Sequence, residues 1–553
     1  MKLPLSAALV ALSIAVSHAA PPATTALQTA RPAIDTASWL AHVTALSSDG
    51  FEGRAPGTAG ETITIDYLQQ QFKKLGLAPG NPNGSYLQTV PMAGISSYPT
   101  LSYTIGGHPT QLKFGDDYVA WSARAQKEVD LHGSELVFVG YGITAPEFNW
   151  DDYKGVDLKG KTLVMLSNDP PVPDPQHPQQ LDPKVFAGAA SSYYGRWGYK
   201  FEQAARLGAA GALLIHDPKT AGASYEILKN TWNRENFVLD TRGPNPDFPL
   251  VPGWLHHDRA RDLVKRAGFD LEKLTKQAAR RDFKPVRLGA TLNVTEVNAW
   301  RTVDSHNVVA RIEGSDPQLR HEVIVYSAHW DHFGVDDTLP GKRSQQTFHG
   351  ALDNAAGVAA LLEIARAYAA LPVAPRRTIV FLATTGQERG QLGAKYYARH
   401  PLYPLAHTLV NLNIDGINVW GRTRSVELYG MGKSTADDVV AAVARKQGRV
   451  MKPEGNLEFG NFYRGDQLEF ARAGVPVVYL GNSLDYIGKP ASYGKDKAMR
   501  YHAQLYHTVD DVVDPKWDLR GAEQDLGLLF EAGYQFAQGK QGPVWREKVE
   551  FRR

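Results

Sequence analysis

The feature that most constrains the fold is an alternation of apolar runs in the second half of the chain. Short, almost continuously apolar segments alternate there with helix-like segments: 321–329, 354–371, 376–385, 407–415, 435–448 and 475–481. Strands that are apolar on both faces belong to a sheet covered by helices on both sides. The pattern predicts an α/β fold of three layers, in which a mostly parallel mixed central sheet is flanked by helices.

The length of 553 residues exceeds what one hydrophobic core supports, so two or three domains are expected. Residues 86–135 read as several short strands and turns. From 136 onward, buried-strand candidates and the helix–turn–strand run 199–217 predict a separate small α/β unit. We divide the chain as follows: the N-terminal part of the main domain, 34–115; an inserted unit, 116–295; the main part, 296–540; and a loose polar tail, 541–553.

The first residues have the composition of an export signal. Lys2 is followed by an apolar stretch and then by the small residues before Ala19, which predicts a signal peptide over 1–19 and a flexible leader over 20–33. The apolar run is short for a bilayer span, and no other span is evident. We therefore expect an exported protein, periplasmic or secreted, without stable membrane insertion after the signal is removed.

Composition excludes several classes of function. The formal charge of +2 gives no reason to expect nucleic acid as a partner. The chain has no cysteine, which excludes a cysteine nucleophile and thiolate metal ligands. Nothing in the composition indicates the oligomeric state.

Polar side chains collect where the predicted strands end, which is the edge at which open α/β sheets bind ligands. These residues are His329 and Asp331 in SAHWDHFG, Asp353 in GALDNAAG, Glu388 in GQERG, Asp415 in NIDG and His507 in YHTVDD. Taken singly, the pair Asp353-Asn354 is equally a helix N-cap, a role we expect in any case, and His507 equally lies in a surface turn. Taken together, two imidazoles and three carboxylates suit divalent metals, zinc above all.

An odd number of carboxylates allows one of them to bridge two ions, each ion also taking one histidine and one further carboxylate. Two zinc ions about 3.5–4 Å apart share a water and lower its pKa toward neutrality. Asp331 stands two residues from His329 and is suited to accept the other imidazole N–H.

The same segments, in the same order, resemble the co-catalytic zinc aminopeptidases, the group that includes bacterial leucyl aminopeptidases and glutamate carboxypeptidase II-like enzymes. The motifs are SAHWDHFG, GALDNAAGVAALLEIAR, QERGQLGA, NIDGINVWG, RGDQLEFARAGVP and YHTVDD. The segment 136–217, together with the run GRWGYKFEQAARLGAAGALLIHDP (195–218), is similar to the protease-associated domain that some members carry as an insertion. FEGRAPGTAG and the helix after it resemble the family's N-terminal segment.

The resemblance implies that His329, Asp353, Glu388, Asp415 and His507 bind two zinc ions, with Asp353 bridging and Asp331 orienting His329. Asp466 matches another family position near the site, to which we assign no role. Family members hydrolyse a peptide bond with a metal-bound water. The acidic residue just before the glutamate ligand serves as general base.

In this chain that general-base position is Gln387, and an amide cannot accept the water's proton. Three explanations are open: another acid or base acts instead, the protein binds without efficient catalysis, or Gln387 is an introduced substitution. Gly465 and Gln467, where relatives often have Ser and His, indicate a divergent pocket.

The expected function is that of a metallo-aminopeptidase acting on peptides. The leading alternative is an inactive metal-binding relative that binds peptides, and a third is an amidohydrolase or deacylase on the same scaffold. Arg464 and Arg472 are possible partners for a substrate carboxylate, so the choice between aminopeptidase and carboxypeptidase stays open here. The inserted unit either covers the edge of the site or limits substrates to short peptides.

Overall fold

The computed structural model describes residues 32–218, 224–240, 245–455, 457, 460–547 and 549–551. The predicted signal peptide, 1–19, and most of the leader therefore lie outside the described residues. Within them, no helix combines the length and the apolar character needed to cross a bilayer.

The helices begin and end as follows: α1 Thr36–Leu46, α2 Ala59–Lys74, α3 Trp197–Arg206, α4 Tyr225–Trp232, α5 His257–Arg266, α6 Leu271–Ala278, α7 Ala356–Ala369, α8 Leu392–Arg399, α9 Ala436–Lys446, α10 Gln467–Arg472, α11 Tyr493–Arg500 and α12 Arg520–Gln538. The strands are β1 Ala78–Pro79, β2 Leu87–Ile105, β3 His108–Leu112, β4 Tyr118–Ala120, β5 Glu128–Phe138, β6 Thr144–Ala145, β7 Trp150–Asp151, β8 Thr162–Leu166, β9 Gly211–His216, β10 Asn236–Leu239, β11 Val251–His256, β12 Val286–Ile312, β13 Val323–His329, β14 Thr378–Thr384, β15 Thr408–Asn413, β16 Ser425–Leu428, β17 Val450–Pro453 and β18 Val477–Gly481.

The predicted α/β fold with a largely parallel central sheet is confirmed. One sheet runs in the order β17-β16-β18-β15-β13-β14-β12-β5-β8-β9-β11-β4. β14, β13, β15 and β18 are parallel to their neighbours in that group, whereas β12 and β16 are antiparallel to the strands they flank. Every residue of β13 and β14 is buried, as their apolar composition predicts.

A long antiparallel ribbon joins the two halves of the molecule. β2 pairs with β12 along its whole length, from Leu87 opposite Val308 to Ile105 opposite Ala290. One end of β12 pairs with β14 and the other with β5. The division predicted at 295/296 therefore falls inside a continuous strand. The separate cores on either side of the ribbon are still distinct: α7, α1 and α12 pack with β13 in one, and α5 and α6 pack with β5 and β9 in another.

The C-terminal segment was expected to be a loose tail, and this was wrong for its described residues. The Trp545 indole donates to the carbonyl of Gly474, and Phe551 is 4% exposed in a core beside Phe462 and Tyr463. Two aromatic anchors hold the segment in place, and its polar composition concealed them.

Candidate functional site

Three parallel strands bring their carboxyl ends to one edge of the sheet. His329 is the last residue of β13, and the chain leaves β14 at Thr384 and turns at Gly386 (φ 64°) into the Gln387–Arg389 turn. Asp415 follows the end of β15. Because the strands are parallel neighbours, these side chains meet as the sequence predicts.

Asp353 lies between the two predicted histidine ligands. Its Oδ1 is 3.3 Å from Nε2 of His329, and its Oδ2 is 3.1 Å from Nε2 of His507. His329 Nε2 is also 3.4 Å from Oδ1 of Asp415, and His507 Nε2 is 3.3 Å from Oε2 of Glu388. The structure therefore brings all five predicted ligands together, with Asp353 in the middle.

Two donor groups share Asp353. In the first, one ligand atom each from His329, Asp353 and Asp415 lies within 4.8 Å of the others; in the second, the same holds for His332, Asp353 and Glu388. His507 faces the second group. His332 was not among the predicted site residues. It stands next to Asp331 in SAHWDHFG, but residue spacing alone does not distinguish it from an ordinary loop histidine.

The chemistry of the donors fits divalent cations. Burial alone would lower the pKa of His507, yet Glu388 and Asp353 raise it to about 10. Burial would likewise raise the pKa of Glu388, but His507 and His332 lower it to about 2. Among the described residues, the buried Nε2 atoms of His332 and His507 make no hydrogen bond of suitable geometry, although carboxylate oxygens lie close to that of His507. Acidic oxygens packed around such nitrogens are a ligand set that a cation would satisfy.

Asp331 holds the turn that carries Glu388. Its Oδ1 and Oδ2 accept hydrogen bonds from the backbone N–H groups of Gln387 and Glu388, at 3.0 and 3.3 Å. The Nδ1 of His329 lies nearer to the main-chain oxygen of Asp331 (3.1 Å) than to its carboxylate (3.7 Å). Burial raises the pKa of Asp331 to about 6. The contact with His329 thus runs mainly through the backbone.

Of the pair expected to cap a helix, Asn354 rather than Asp353 takes the N-cap role. The residue directly before α7, Ala355, makes no side-chain cap, and Asp353 lies in a separate helical turn, Ala351–Ala355, before that helix. The side-chain oxygen of Asn354 instead accepts from the N–H groups of Gly357 and Gly416. Asp511, in YHTVDD, accepts from the backbone N–H of Asp353 at 3.1 Å. Sequence reasoning chose His507 from that run and missed Asp511.

Gln387 is attached to the loop that carries Asp466. Its Nε2 donates to the carbonyl of Arg464 at 3.1 Å, and Nε2 of Gln391 donates to the carbonyl of Gly465 at 3.2 Å. A carboxylate at position 387 would have no proton to donate there. The glutamine therefore makes a contact that an ionised glutamate cannot make.

Asp466 is a buried acid beside the donor groups. Its Oδ2 accepts from the hydroxyl of Thr384, its Oδ1 has no hydrogen-bond partner among the described residues, and the residue is 1% exposed. Burial raises its pKa to about 7, with the carboxylates of Asp331 and Asp415 adding to the effect. A carboxyl with a pKa near neutrality in such a setting is a candidate for proton transfer.

The comparison with protein families agrees with this geometry. Residues 307–527, which contain all the predicted ligands, match the model of peptidase family M28. This part of the chain belongs to that family. The M28 segment therefore confirms the resemblance seen in the motifs and assigns the domain to the metallopeptidase hydrolases.

A solved aminopeptidase from Aneurinibacillus sp. strain AM-1 has a similar fold. It is 18% identical, with a TM-score of 0.51, and the match covers 94% of this chain and 98% of that one. At this identity the match shows the fold, including the segment before the M28 residues.

Curated relatives are similar to part of the chain. A vacuolar membrane protease of Aspergillus clavatus is 28% identical over 215 residues, and one of Neosartorya fischeri is 31% identical over 223 residues. Each match covers 38% of this chain and 19% of the relative. The chain thus spans about a fifth of the length of these relatives.

These names correct the predicted location. We expected a periplasmic or secreted protein from the apolar N-terminus. The relatives named above, like those from Tuber melanosporum and Lachancea thermotolerans, are named for the vacuolar membrane. An apolar N-terminal run alone does not distinguish the compartments that the export route serves, and the predicted location is withdrawn.

Proposed function

We propose that this protein is a zinc-dependent aminopeptidase that removes N-terminal residues from peptides, with His329, Asp353, Glu388, Asp415 and His507 holding two zinc ions. The observation that carries the proposal is the position of Asp353, whose two carboxylate oxygens face two different histidines at 3.3 and 3.1 Å. One carboxylate placed between two imidazoles is the arrangement that a bridging ligand requires.

Bound zinc would supply a Lewis acid and lower the pKa of a water molecule toward neutrality. The residues around it have separate tasks. Asp331 fixes the turn that presents Glu388, through the two backbone N–H groups it accepts. Gln387 accepts or donates a hydrogen bond but takes no proton, so proton transfer needs another group. Asp466 is a carboxyl that can accept the proton: it is buried, and one of its oxygens has no hydrogen-bond partner among the described residues.

The arginines that could bind a substrate carboxylate differ in their partners. Arg472 is paired with Glu202, at 3.0 and 2.7 Å, and with Glu469. Arg464 is exposed, and among the described residues its guanidinium has no carboxylate within ion-pair distance. A carboxypeptidase needs a strong cationic site for the terminal carboxylate. The pairing of Arg472 with Glu202 removes one of the two candidate partners for a substrate carboxylate and leaves Arg464.

The second candidate is a protein that binds peptides without cleaving them efficiently. Gln387 favours it, because the amide occupies the position of the family's general base and is engaged with the Arg464 carbonyl. A positioned general base typically contributes about 10²–10⁴-fold to the rate. A binding protein would keep its metals and lack that factor.

Hydrolysis of aminoacyl-anilides by the zinc-loaded protein tests the proposal, beside Gln387→Glu and with a chelated sample. Gln391→Glu is the matched control, since Gln391 makes the corresponding contact to the next carbonyl of the same loop. Chelator-sensitive turnover by the wild type supports the aminopeptidase. A silent wild type with an active Gln387→Glu variant supports the binding protein.

The same panel should contain acylated amino acids. Turnover of these compounds without turnover of the anilides would replace the aminopeptidase with a deacylase. Turnover that a chelator leaves unchanged would contradict both metal-dependent functions.

A further inference from the structure

The run GFEGRAPG contains a feature that the proposed function does not use. Residues Asp49–Arg54 form a tight turn before α2, and three successive residues have left-handed backbone conformations: Glu52 (φ 46°), Gly53 (φ 62°) and Arg54 (φ 52°). Such conformations are unfavourable for residues other than glycine and persist where the surrounding structure enforces them. Contacts with other segments of the chain must therefore stabilise the turn.

Those contacts are made by the Arg54 side chain, which is 1% exposed. Its Nε donates to the carbonyl of Trp330 at 2.9 Å, and its Nη1 donates to the carbonyls of Leu46 at 2.6 Å and His349 at 2.7 Å. Its Nη2 donates to the carbonyl of Gly350 at 3.0 Å. One guanidinium thus satisfies four main-chain oxygens from three different segments.

Two of the three segments carry candidate metal ligands. Trp330 separates His329 from Asp331, and His349 and Gly350 precede Asp353 by four and three positions. Gly350 itself has a left-handed conformation (φ 54°), and a Cβ there would come within 2.7 Å of the His332 ring. Arg54 therefore joins the loop of His329 to the loop of Asp353.

The backbone of the turn makes the same connection. The N–H of His332 donates to the carbonyl of Arg54 at 3.2 Å, and the N–H of Gly334 donates to the carbonyl of Gly53 at 2.9 Å. The loop after His329 is thus held both by the side chain of Arg54 and by the main-chain carbonyls of Gly53 and Arg54.

The charge of Arg54 also suits this place. Burial lowers its pKa to about 10, against the opposing effect of four carboxylates, chiefly Asp511 and Asp331. The group is still cationic at neutral pH. Among the described residues it makes no ion pair with any of these carboxylates. Its planar guanidinium instead donates to carbonyls in several directions, and the single ammonium group of a lysine cannot reproduce that arrangement.

We propose that Arg54 is a positioning residue that fixes the spacing of the His329 and Asp353 loops, so that the donor groups are assembled before a metal binds. Its guanidinium donates to main-chain oxygens of the loops that carry the proposed ligands, so its role is positional. The inference rests on the proposed function only in taking zinc as the ion, and its tests measure binding and backbone protection rather than hydrolysis.

The first test is zinc affinity of full-length Arg54→Lys, measured by competition with a chromogenic chelator. Arg377→Lys is the matched control, because Arg377 is equally buried and also donates to main-chain carbonyls, at the opposite end of β14. We expect Arg54→Lys to lower zinc affinity about 10–100-fold and Arg377→Lys to leave it within about twofold. Equal affinities in Arg54→Lys and the wild type would overturn the proposal.

The second test needs no variant and decides the matter if Arg54→Lys does not fold. In the zinc-free wild type, the amides of His332 and Gly334 should exchange slowly with deuterium, because Arg54 and Gly53 hold them. Exchange as fast as in an exposed loop, slowing only when zinc is added, would show that the metal assembles the loops. Zinc affinity without hydrolysis would refute the proposed aminopeptidase and leave this inference intact.

Discussion

The Nδ1 of His332 lies 2.8 Å from Oε1 of Glu388, while Oε2 of the same carboxylate lies 3.3 Å from His507. The two oxygens of Glu388 therefore face two different imidazoles. His332 is fully buried, and burial lowers its pKa despite the nearby carboxylate. A neutral His332 that donates its Nδ1 proton fixes one oxygen of Glu388 and leaves the other for a cation.

We expect His332→Ala to weaken zinc binding by about 10–100-fold, because an unheld carboxylate loses its orientation. His332→Asn, which retains an N–H donor, should recover part of the affinity. Chelator competition measures both. The matched control is His306→Ala, which removes another histidine beside a glutamate, with Nδ1 3.3 Å from Glu61, outside the donor groups. A loss of one zinc equivalent in His332→Ala would instead make His332 a ligand.

The strand ends were predictable from the sequence, because parallel apolar strands must place their last residues at one edge. His329, Glu388 and Asp415 follow from that rule alone. The β2–β12 ribbon was not predictable. Pro91 and Pro99 interrupt β2, and proline is a poor strand residue because it lacks an N–H. The apolar pattern therefore predicted short strands where the structure has a strand of 19 residues.

The contacts that hold the site were also beyond the sequence. Arg54 lies 276 or more residues before the carbonyls of Trp330, His349 and Gly350, to which it donates, and no local pattern connects residues so distant. Asp511 was masked by His507 in the same short run. A ligand is recognised by its chemical type, whereas a supporting residue is recognised by the atoms it contacts, and those require the fold.

Asp466→Asn tests the proposed proton acceptor. Asparagine keeps an oxygen for the Thr384 hydroxyl but takes no proton, so kcat should fall by about 10²–10⁴-fold. Burial raises the pKa of Asp466 to about 7, so the rate of the wild type should rise as the pH increases through that value. The pH–rate profile of Asp466→Asn should lack this rise. Zinc affinity should not change. Asp437→Asn, a buried acid elsewhere that accepts from Gly432, is the control; an unchanged pH profile in Asp466→Asn would remove Asp466 from the reaction.

The ion pair between Glu202 and Arg472 tests whether the inserted unit limits substrate length. Glu202, in α3 of the inserted unit, is bidentate to Arg472, in α10 of the main domain. Glu202→Gln should lower the free energy of unfolding by about 1.5–3 kcal/mol, the contribution of a hydrogen bond to a charged group. It should also weaken the contact between α3 and α10. We expect kcat/KM for long peptides to rise relative to dipeptides.

Glu135→Gln is the control for that experiment, since Glu135 pairs with Lys161 inside the inserted unit. It should reduce stability without changing the length preference. If both variants cleave long and short peptides in the wild-type ratio, the inserted unit covers the edge of the site and does not gate it.

Glu296, on β12, predicts how stability depends on pH. It is fully buried, and within the part of the chain that the structure describes neither carboxylate oxygen has a hydrogen-bond partner. Burial raises its pKa from 4.5 to about 8. Because the folded state binds the proton more tightly than the unfolded chain, the stability that this group contributes is complete below pH 4.5 and is lost as the pH rises to about 8. The difference corresponds to at most about 5 kcal/mol.

Glu296→Gln should remove this dependence, because glutamine does not titrate. In urea unfolding near pH 9, the variant should be more stable than the wild type by at most about 5 kcal/mol. Near pH 5 the two proteins should have similar stability. Glu363→Gln is the control: Glu363 is equally buried but paired with Arg366 at 2.7 Å, so its loss should destabilise the protein at both pH values. If the stability difference between Glu296→Gln and the wild type is the same at the two pH values, the pKa of Glu296 is not raised by folding. Glu296 would then be ionised in the folded protein, and the prediction would be wrong.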